Sequence, residues 1–243
     1  MKFLLLDIGN TSIAYSTTLD DKVQKINRIK NVENLDDFIN SLNFNEINKV
    51  IICSVVPSIS NSIINILKLK NIDFFEINHV NCGIKLLVNN PSNVGADRIC
   101  NVVGANKINT PSIIIDFGTA TTYDITTENG DFIGGAISPG IDISADYLIE
   151  RAALLKETIY TFPDLIIGQS TESNIQSGVM YGGLFSVLGM INAIKLEMEN
   201  SNMQIIITGG FGKLISDKLS IEHTYSKSLT MDGMIQVYSN NSL

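Results

Sequence analysis

No tryptophan occurs in this chain of 243 residues, and histidine (two), cysteine (three) and proline (five) are scarce. With only His79 and His223, a zinc site has little to draw on, and both read as structural or surface residues. Cys53, Cys82 and Cys100 are odd in number and form no CxxC pair, which argues against a disulfide framework and for reduced thiols. Positive charge is also short: 17 Lys and Arg face 25 Asp and Glu, a formal net charge of -8. That balance argues against nucleic acid or an acidic membrane as the main partner, and anions must be met by a local site of backbone N–H groups, a few cations or a metal. Long apolar runs are missing as well. Phe3–Leu6 is too short for a signal-peptide core and is ended by Asp7. No stretch reads as the roughly 18 apolar residues of a membrane span. The expectation is a soluble, cytoplasmic protein without a membrane partner. Neither GxxxxGK[ST] nor GxGxxG occurs, so a P-loop and a Rossmann fingerprint are both absent.

What is present is apolar material for a core: 44% hydrophobic residues and a mean hydropathy of +0.20. It is arranged twice. Residues 2–7 (KFLLLD) read as a buried strand, 12–18 as a second and 22–29 as a third, with Asp20-Asp21 a solvated turn between them. A helix near 33–42, a strand at 49–56, a helix after Pro57 with Ile59, Ile63, Ile64 and Leu67 inward, and a strand at 72–77 follow. From Ser112 the order repeats. SIIIDF ends in Asp116, TYDIT and DFIGGAI flank the hairpin signal Asn129-Gly130, and helices near 141–155 and 171–198, a strand at 203–208 and a helix near 212–219 complete it. Asp7 and Asp116 thus stand at equivalent strand ends, 116 − 7 = 109 residues apart, the spacing of a duplicated domain with halves 1–110 and 111–243.

The polar residues at those strand ends carry the chemistry. In DIGNT, Gly9 permits close backbone approach, Asn10 and Thr11 offer donors to phosphate oxygens, and Asp7 can organise Mg²⁺. DFGTATT repeats this logic with Thr119, Thr121 and Thr122. A turn rich in local hydrogen bonds explains either stretch alone; two at matched positions point to a ligand. VGADR (94–98) follows the loop-rich NNPSN and precedes an apolar helix, which puts Asp97 near a helix amino terminus. A carboxylate so placed is either a surface ion-pair partner of Arg98 or a general base for a hydroxyl. IGGAISPGI and TGGFG are glycine-rich turns, the second following a buried strand. In IGQSTESNIQSG, Thr171 reads as a helix cap with Asn174 next, and Met180 and Tyr181 as core positions of the helix that follows.

DIGNT, VGADR, DFGTATT with GGAISPG, IGQST…SG and TGG occur in the order found in type III pantothenate kinases, and the chain resembles that family from about residue 3 to 235. The resemblance implies an α/β fold, a duplicated ribonuclease-H-like architecture of the acetate and sugar kinase/actin superfamily, with ATP in the cleft between two similar halves. It implies ATP-dependent phosphorylation of pantothenate to 4'-phosphopantothenate, opening coenzyme A synthesis, by an obligate homodimer that needs Mg²⁺ and a monovalent cation, K⁺ or NH₄⁺. By position, Asp7, Ile8, Gly9, Asn10, Thr11, Ser12, Ile13 and Ala14 match the first ATP-phosphate hairpin, with Asp7 organising Mg²⁺ directly or through water, and Thr119 matches the second phosphate contact. Gly95, Ala96, Asp97 and Arg98 match the pantothenate segment, with Asp97 as base; Thr171 matches a further pantothenate contact. Asp116 matches the monovalent-cation ligand, and Gly209 and Gly210 the adenosine-side turn. Two positions depart from the family. Val88 stands where a tyrosine usually precedes Asn-Pro, and Leu155 is followed by Lys156 where Leu-Pro is common. The competing reading is a family member without turnover that serves as a regulatory or binding protein. Retention of Asp7, Asp97, Asp116 and Thr119 favours the enzyme, because a binding module needs no aligned base.

Overall fold

The computed structural model describes residues 1–30, 35–105, 110–151 and 160–242. By its contacts the chain forms two compact units. One gathers Met1–Asn109, Thr126–Gly134 and Ser228–Leu243; the other gathers Thr110–Ile125 and Gly135–Lys227.

The first unit is built on β1 (Phe3–Ile8), β2 (Ser12–Leu19), β3 (Lys22–Val23), β4 (Asn27–Lys30), β5 (Lys49–Ser54) and β6 (Phe74–Glu76). Their order is β3-β2-β1-β5-β6, with β4 also on β2. β1 pairs antiparallel with β2 and parallel with β5. The period-2 alternation of β1 divides the core between the two faces of the sheet. Leu4, Leu6 and Ile8 join Val50, Ile52, Ile63 and Leu67 on one face. Phe3 and Leu5 join Ala14, Ile51, Cys53, Ile99, Cys100, Met234 and Val237 on the other. Helices α1 (Leu35–Ser41) and α2 (Pro57–Leu69) serve the first face, and α3 (Ala96–Ala105) the second. Pro57 starts α2 at the position where its missing N–H costs nothing, and Ile63, Ile64 and Leu67 are buried as their helical spacing requires. A 3₁₀ turn at Pro91–Asn93 leads into α3.

The second unit carries β7 (Ser112–Phe117), β8 (Ala120–Thr126) and β10 (Gln204–Gly209), in the sheet order β11-β10-β7-β8-β9 with β9 (Phe132–Pro139) and β11 (Thr224–Tyr225). Read from its other end, this is the order of the first sheet. The burial of FLLLDI in β1 and SIIIDF in β7 is the same residue by residue, with the half-buried Asp in fifth place. Helices α4 (Ile141–Arg151), α5 (Thr171–Glu197) and α6 (Gly212–Ser216) belong here, and α7 (Leu229–Asn241) belongs to the first unit.

The structure modifies several expectations. The strand expected at 22–29 is two short ones, because β3 pairs with the far end of β2 and β4 with its beginning. Asp20 and Asp21 form the tight exposed turn, both at positive φ, as a two-residue hairpin of right-handed twist requires. The cap of α5 is Ser170, not Thr171: Ser170 Oγ accepts from the Ser173 N–H at 3.1 Å, and Ser173 Oγ accepts from the Ser170 N–H at 3.0 Å. Along α5, Met180 is buried as expected, but Tyr181 is only half-buried and donates to the Pro163 carbonyl. By length and composition α5 could cross a membrane, contrary to the reading that no stretch is long and apolar enough. Within the fold its Ile175, Met180, Leu184, Val187 and Ile191 are buried. His79 is exposed, and His223 is held by Ser216 and the Ile221 carbonyl, so both are structural or surface residues. The expected starts and ends at 33–34 and 152–155, and Leu155-Lys156, lie outside the described residues. β11 and α7 were not read from the sequence.

Candidate functional site

DIGNT is a hairpin end. Gly9 N–H donates to the Ser12 carbonyl at 3.0 Å, and a Cβ on Gly9 would meet that oxygen at 3.3 Å. Asn10 and Thr11 are therefore thrown outward and exposed at the tip, while Asp7 is half-buried beneath it. Ile8, Ser12, Ile13 and Ala14 are buried in the sheet. What the two isoleucines and Ala14 can offer a ligand is main chain. Asp7 lies opposite Ala14 in one direction and Cys53 in the other. It shares the sheet face of Phe3 and Leu5, the face that α3 covers.

Asp97 sits in the first turn of α3. Its Oδ1 accepts from the Arg98 N–H at 2.7 Å. Gly95 makes room for this: a Cβ there would fall 2.5 Å from Asp97 Oδ1 and 3.2 Å from Val55. Burial raises the Asp97 carboxyl above its ordinary value, and the Arg98 N–H and the Arg98 charge offset part of that rise. A carboxylate poised upward suits a general base. The Arg98 guanidinium stacks 5.3 Å from the Phe132 ring centroid, and buried Ala96 anchors the turn. Val88 is half-buried, with Cγ1 3.9 Å from where a Cβ on Gly134 would stand. Cys53 and Cys100 are fully buried neighbours in the same core, free thiols. Their mutual hydrogen bond and burial push the Cys53 thiol well up, and it also senses the charges of Asp7 and Asp97.

In the second unit, the turn after β7 is one residue shorter than the first hairpin's: Gly118 N–H donates to the Ala120 carbonyl at 3.1 Å, two residues on, where Gly9 reaches Ser12 three residues on, and Thr119 is exposed at the tip. The glycine-rich stretches brace this turn. Gly140 N–H donates to the Thr119 carbonyl at 3.1 Å, and a Cβ on Gly140 would stand 2.6 Å from the carbonyl oxygens of both Gly118 and Thr119. Gly209, at φ +90°, brings main chain against Asp116: a Cβ there would fall 2.4 Å from Asp116 Oδ1. The TGG turn is therefore required by the close approach to Asp116. In the same unit a cavity of about 670 Å³ is lined by Thr121, Tyr123, Ser138, Thr171, Asn174 and Ser186 among apolar groups. Burial raises the Tyr123 hydroxyl, against a hydrogen bond with Ser186 that offsets part of the rise.

The structure thus brings Asp7 to Ala14 and Gly95 to Arg98 into one unit, and Asp116, Thr119 and Thr171 into the other. Among the described residues no group of three or more His, Cys, Asp or Glu side chains could hold a metal ion. Sequence reasoning missed Arg28, whose guanidinium donates to Ser12 Oγ at 2.8 Å beside the first hairpin. No motif contains it; only strand register finds it.

The family profile described as type III pantothenate kinase matches residues 3–193. A type III pantothenate kinase of Agathobacter rectalis is 37% identical over 97% of this chain and 96% of that protein. One from a Sulfurihydrogenibium species is 38% identical over 95% and 97%. Among solved structures, a conserved Baf-family protein from Campylobacter jejuni superposes with a TM-score of 0.66 at 22% identity, covering 98% of each chain. MreB5 of Spiroplasma citri bound to AMPPNP does so at 0.55 and 12%, covering 100% of this chain and 99% of that one. These two show the fold, the duplicated ribonuclease-H-like architecture of actin-like ATPases and sugar kinases. The chain belongs to the type III pantothenate kinase family.

Proposed function

We propose that the chain transfers the γ-phosphoryl group of ATP to the primary hydroxyl of pantothenate, giving 4'-phosphopantothenate for coenzyme A synthesis. The observation that carries this is Asp97: a carboxylate raised by burial, held in the first turn of α3 by the Arg98 N–H, in a stretch that matches the family's pantothenate segment. Asp97 takes the proton as the hydroxyl oxygen attacks phosphorus. Gly9, Asn10 and Thr11 meet ATP phosphates at one hairpin, and Thr119 at the other. Mg²⁺, organised by Asp7, neutralises phosphate charge when bound with ATP. Asp116 is the ligand for K⁺ or NH₄⁺, and the tight main chain of Gly209 beside it supports a built site. Gly95, Ala96 and Arg98 hold pantothenate, and Thr171, on the wall of the second unit's own cavity, is a further pantothenate contact.

The protein acts as a homodimer. Support comes from α4 and α5, which leave Ile143, Tyr147, Leu148 and Phe185 exposed, more apolar surface than scattered single residues explain. The halves 1–110 and 111–243 are the duplicated units of ancestry. Three free buried thiols and the family's metabolic role support a cytoplasmic location.

ADP release from ATP and Mg²⁺, with and without pantothenate, in K⁺ and again in Na⁺ buffer, tests the reading. Release that requires both pantothenate and K⁺ is expected. No release from folded protein in either buffer would favour the regulatory reading instead.

A further inference from the structure

Four residues form one register row across the first sheet. Cys53 pairs with Asp7, Asp7 with Ala14, and Ala14 with Arg28. Directly paired residues of neighbouring strands project from the same face, and this face is fixed by its neighbours. Phe3, Leu5, Ala14 and Cys53 are in the core that α3 covers, and Ile26, two residues before Arg28, packs on that core too. Ile29 packs on the opposite core, as alternation requires. Arg28 therefore stands on the face of Asp7, on the side of the sheet where α3 carries Asp97. Its guanidinium is tied to the hairpin itself, donating to the oxygen of Ser12, the residue whose carbonyl closes the DIGNT turn.

The rest of the side chain is exposed, and among the described residues no carboxylate is recorded in an ion pair with it. In a chain of net charge -8, an exposed arginine tied to this hairpin supplies the local positive charge that an arriving anion needs. Arginine also matches the need. Its planar donors reach two phosphate oxygens at once, while one N–H remains on a hydroxyl.

We propose that Arg28 contacts the γ-phosphoryl group of ATP and stabilises the charge that spreads over its oxygens as it passes to the acceptor hydroxyl. This rests on the phosphoryl-transfer reading above and adds to it a cationic side chain of β4 that is tied to the first hairpin. The Ser12 hydroxyl holds the guanidinium in place, and Asp7, two strands from Arg28 along the same row, stands on the metal side of the phosphates.

Wild type, Arg28→Ala, Arg28→Lys and Ser12→Ala are compared in two assays. The first measures AMPPNP against ADP affinity by titration calorimetry, without pantothenate, and so needs no turnover. Wild type is expected to prefer AMPPNP, and Arg28→Ala to lose most of that preference while keeping its ADP affinity. The second measures turnover. Arg28→Ala is expected to lose kcat on the order of 10²-fold, as removal of one charge-stabilising donor does, with the KM for pantothenate unchanged. Free guanidinium ion at millimolar concentration restores part of that loss, and Arg28→Lys falls in between. An unchanged AMPPNP-to-ADP ratio in folded Arg28→Ala overturns the proposal. So does a loss that Ser12→Ala reproduces in full and guanidinium does not repair, because Arg28 would then act only by holding Ser12. A wild type that binds nucleotide with the stated preference but does not turn over pantothenate refutes the kinase reading and leaves the phosphate contact standing.

Discussion

Gly233 of α7 lies against the main chain of Cys100 in α3, and a Cβ at Gly233 would fall 1.8 Å from the Cys100 carbonyl oxygen. Gly104 makes the reciprocal approach, its Cβ position 2.6 Å from the Leu229 carbonyl oxygen. Two glycines thus let these helices pack nearly backbone to backbone, and Thr230 Oγ1 adds a half-buried hydrogen bond of 2.7 Å to Asn101 Oδ1. Since α3 carries Asp97, this packing fixes the proposed base from behind.

Gly233→Ala is therefore expected to push α7 off α3. Overpacking typically costs about 1–3 kcal/mol, and main chain against main chain belongs at the upper end. In a chain of this size that lowers Tm by several degrees, at roughly 2–4 °C per kcal/mol. Thermal unfolding followed by circular dichroism checks it, and an unchanged Tm would refute the close packing.

This helix pair also marks where the sequence ceased to be legible. β1 and β7 could be read because an apolar run cut by aspartate has few alternatives, and the second hairpin because Asn129-Gly130 has a strong turn preference. α7 could not: its Gly233 reads as a breaker, and only the carbonyl of Cys100, more than a hundred residues earlier, explains it. The α5 cap was misplaced by one residue because Ser170 and Thr171 are both good caps, and only the reciprocal bond to Ser173 decides between them. Asp97 was legible through its motif, whereas Arg28 belongs to none. Its place beside Ser12 follows from the register of β4 on β2, which splits off from β3 in a way that alternation alone does not reveal.

Asp97→Asn is expected to reduce turnover by roughly 10²–10⁴-fold, the usual worth of a positioned general base, without loss of fold. Stability should not fall. The carboxyl is raised in the folded chain, so folding disfavours its charged form. Its ionisation costs stability as pH rises from the unfolded to the folded pKa, and the full cost persists above it. Asparagine removes that cost while keeping an oxygen to accept the Arg98 N–H. At pH 7.5 the variant's Tm should equal or exceed wild type, and a fall of several degrees would contradict burial as the cause.

The same carboxyl predicts the pH profile. With Asp97 as the proposed base, only its deprotonated form takes the hydroxyl proton, so kcat/KM for pantothenate is expected to fall as pH drops through the raised Asp97 pKa. The acid limb should lie above the 3.8 of an ordinary aspartate. Weakening the Arg98 charge, as in Arg98→Gln, removes an influence that lowers the pKa and should move the limb further up. Initial rates from pH 4 to 8 at fixed ionic strength test both. A limb that moves down in Arg98→Gln would remove the guanidinium from the electrostatics of the base.

Gly209→Ala addresses the other unit. The residue stands at φ +90°, where a side chain is strained, and its new methyl would meet Asp116 Oδ1 at 2.4 Å and the Phe117 nitrogen at 2.5 Å. Either Asp116 turns away or the main chain after β10 retreats, and the two consequences separate in kinetics. If Asp116 holds the monovalent cation, a displaced carboxylate raises the K⁺ concentration needed for half-maximal rate, and saturating K⁺ recovers much of kcat. If the glycine matters only as an adenosine-side turn, the KM for ATP rises at every K⁺ concentration and potassium recovers nothing. The first pattern is expected, because the contact at Gly209 is with the carboxylate oxygen itself. Rates across a K⁺ titration at two fixed ATP concentrations decide between them, and a pure ATP effect would take the cation role away from Asp116.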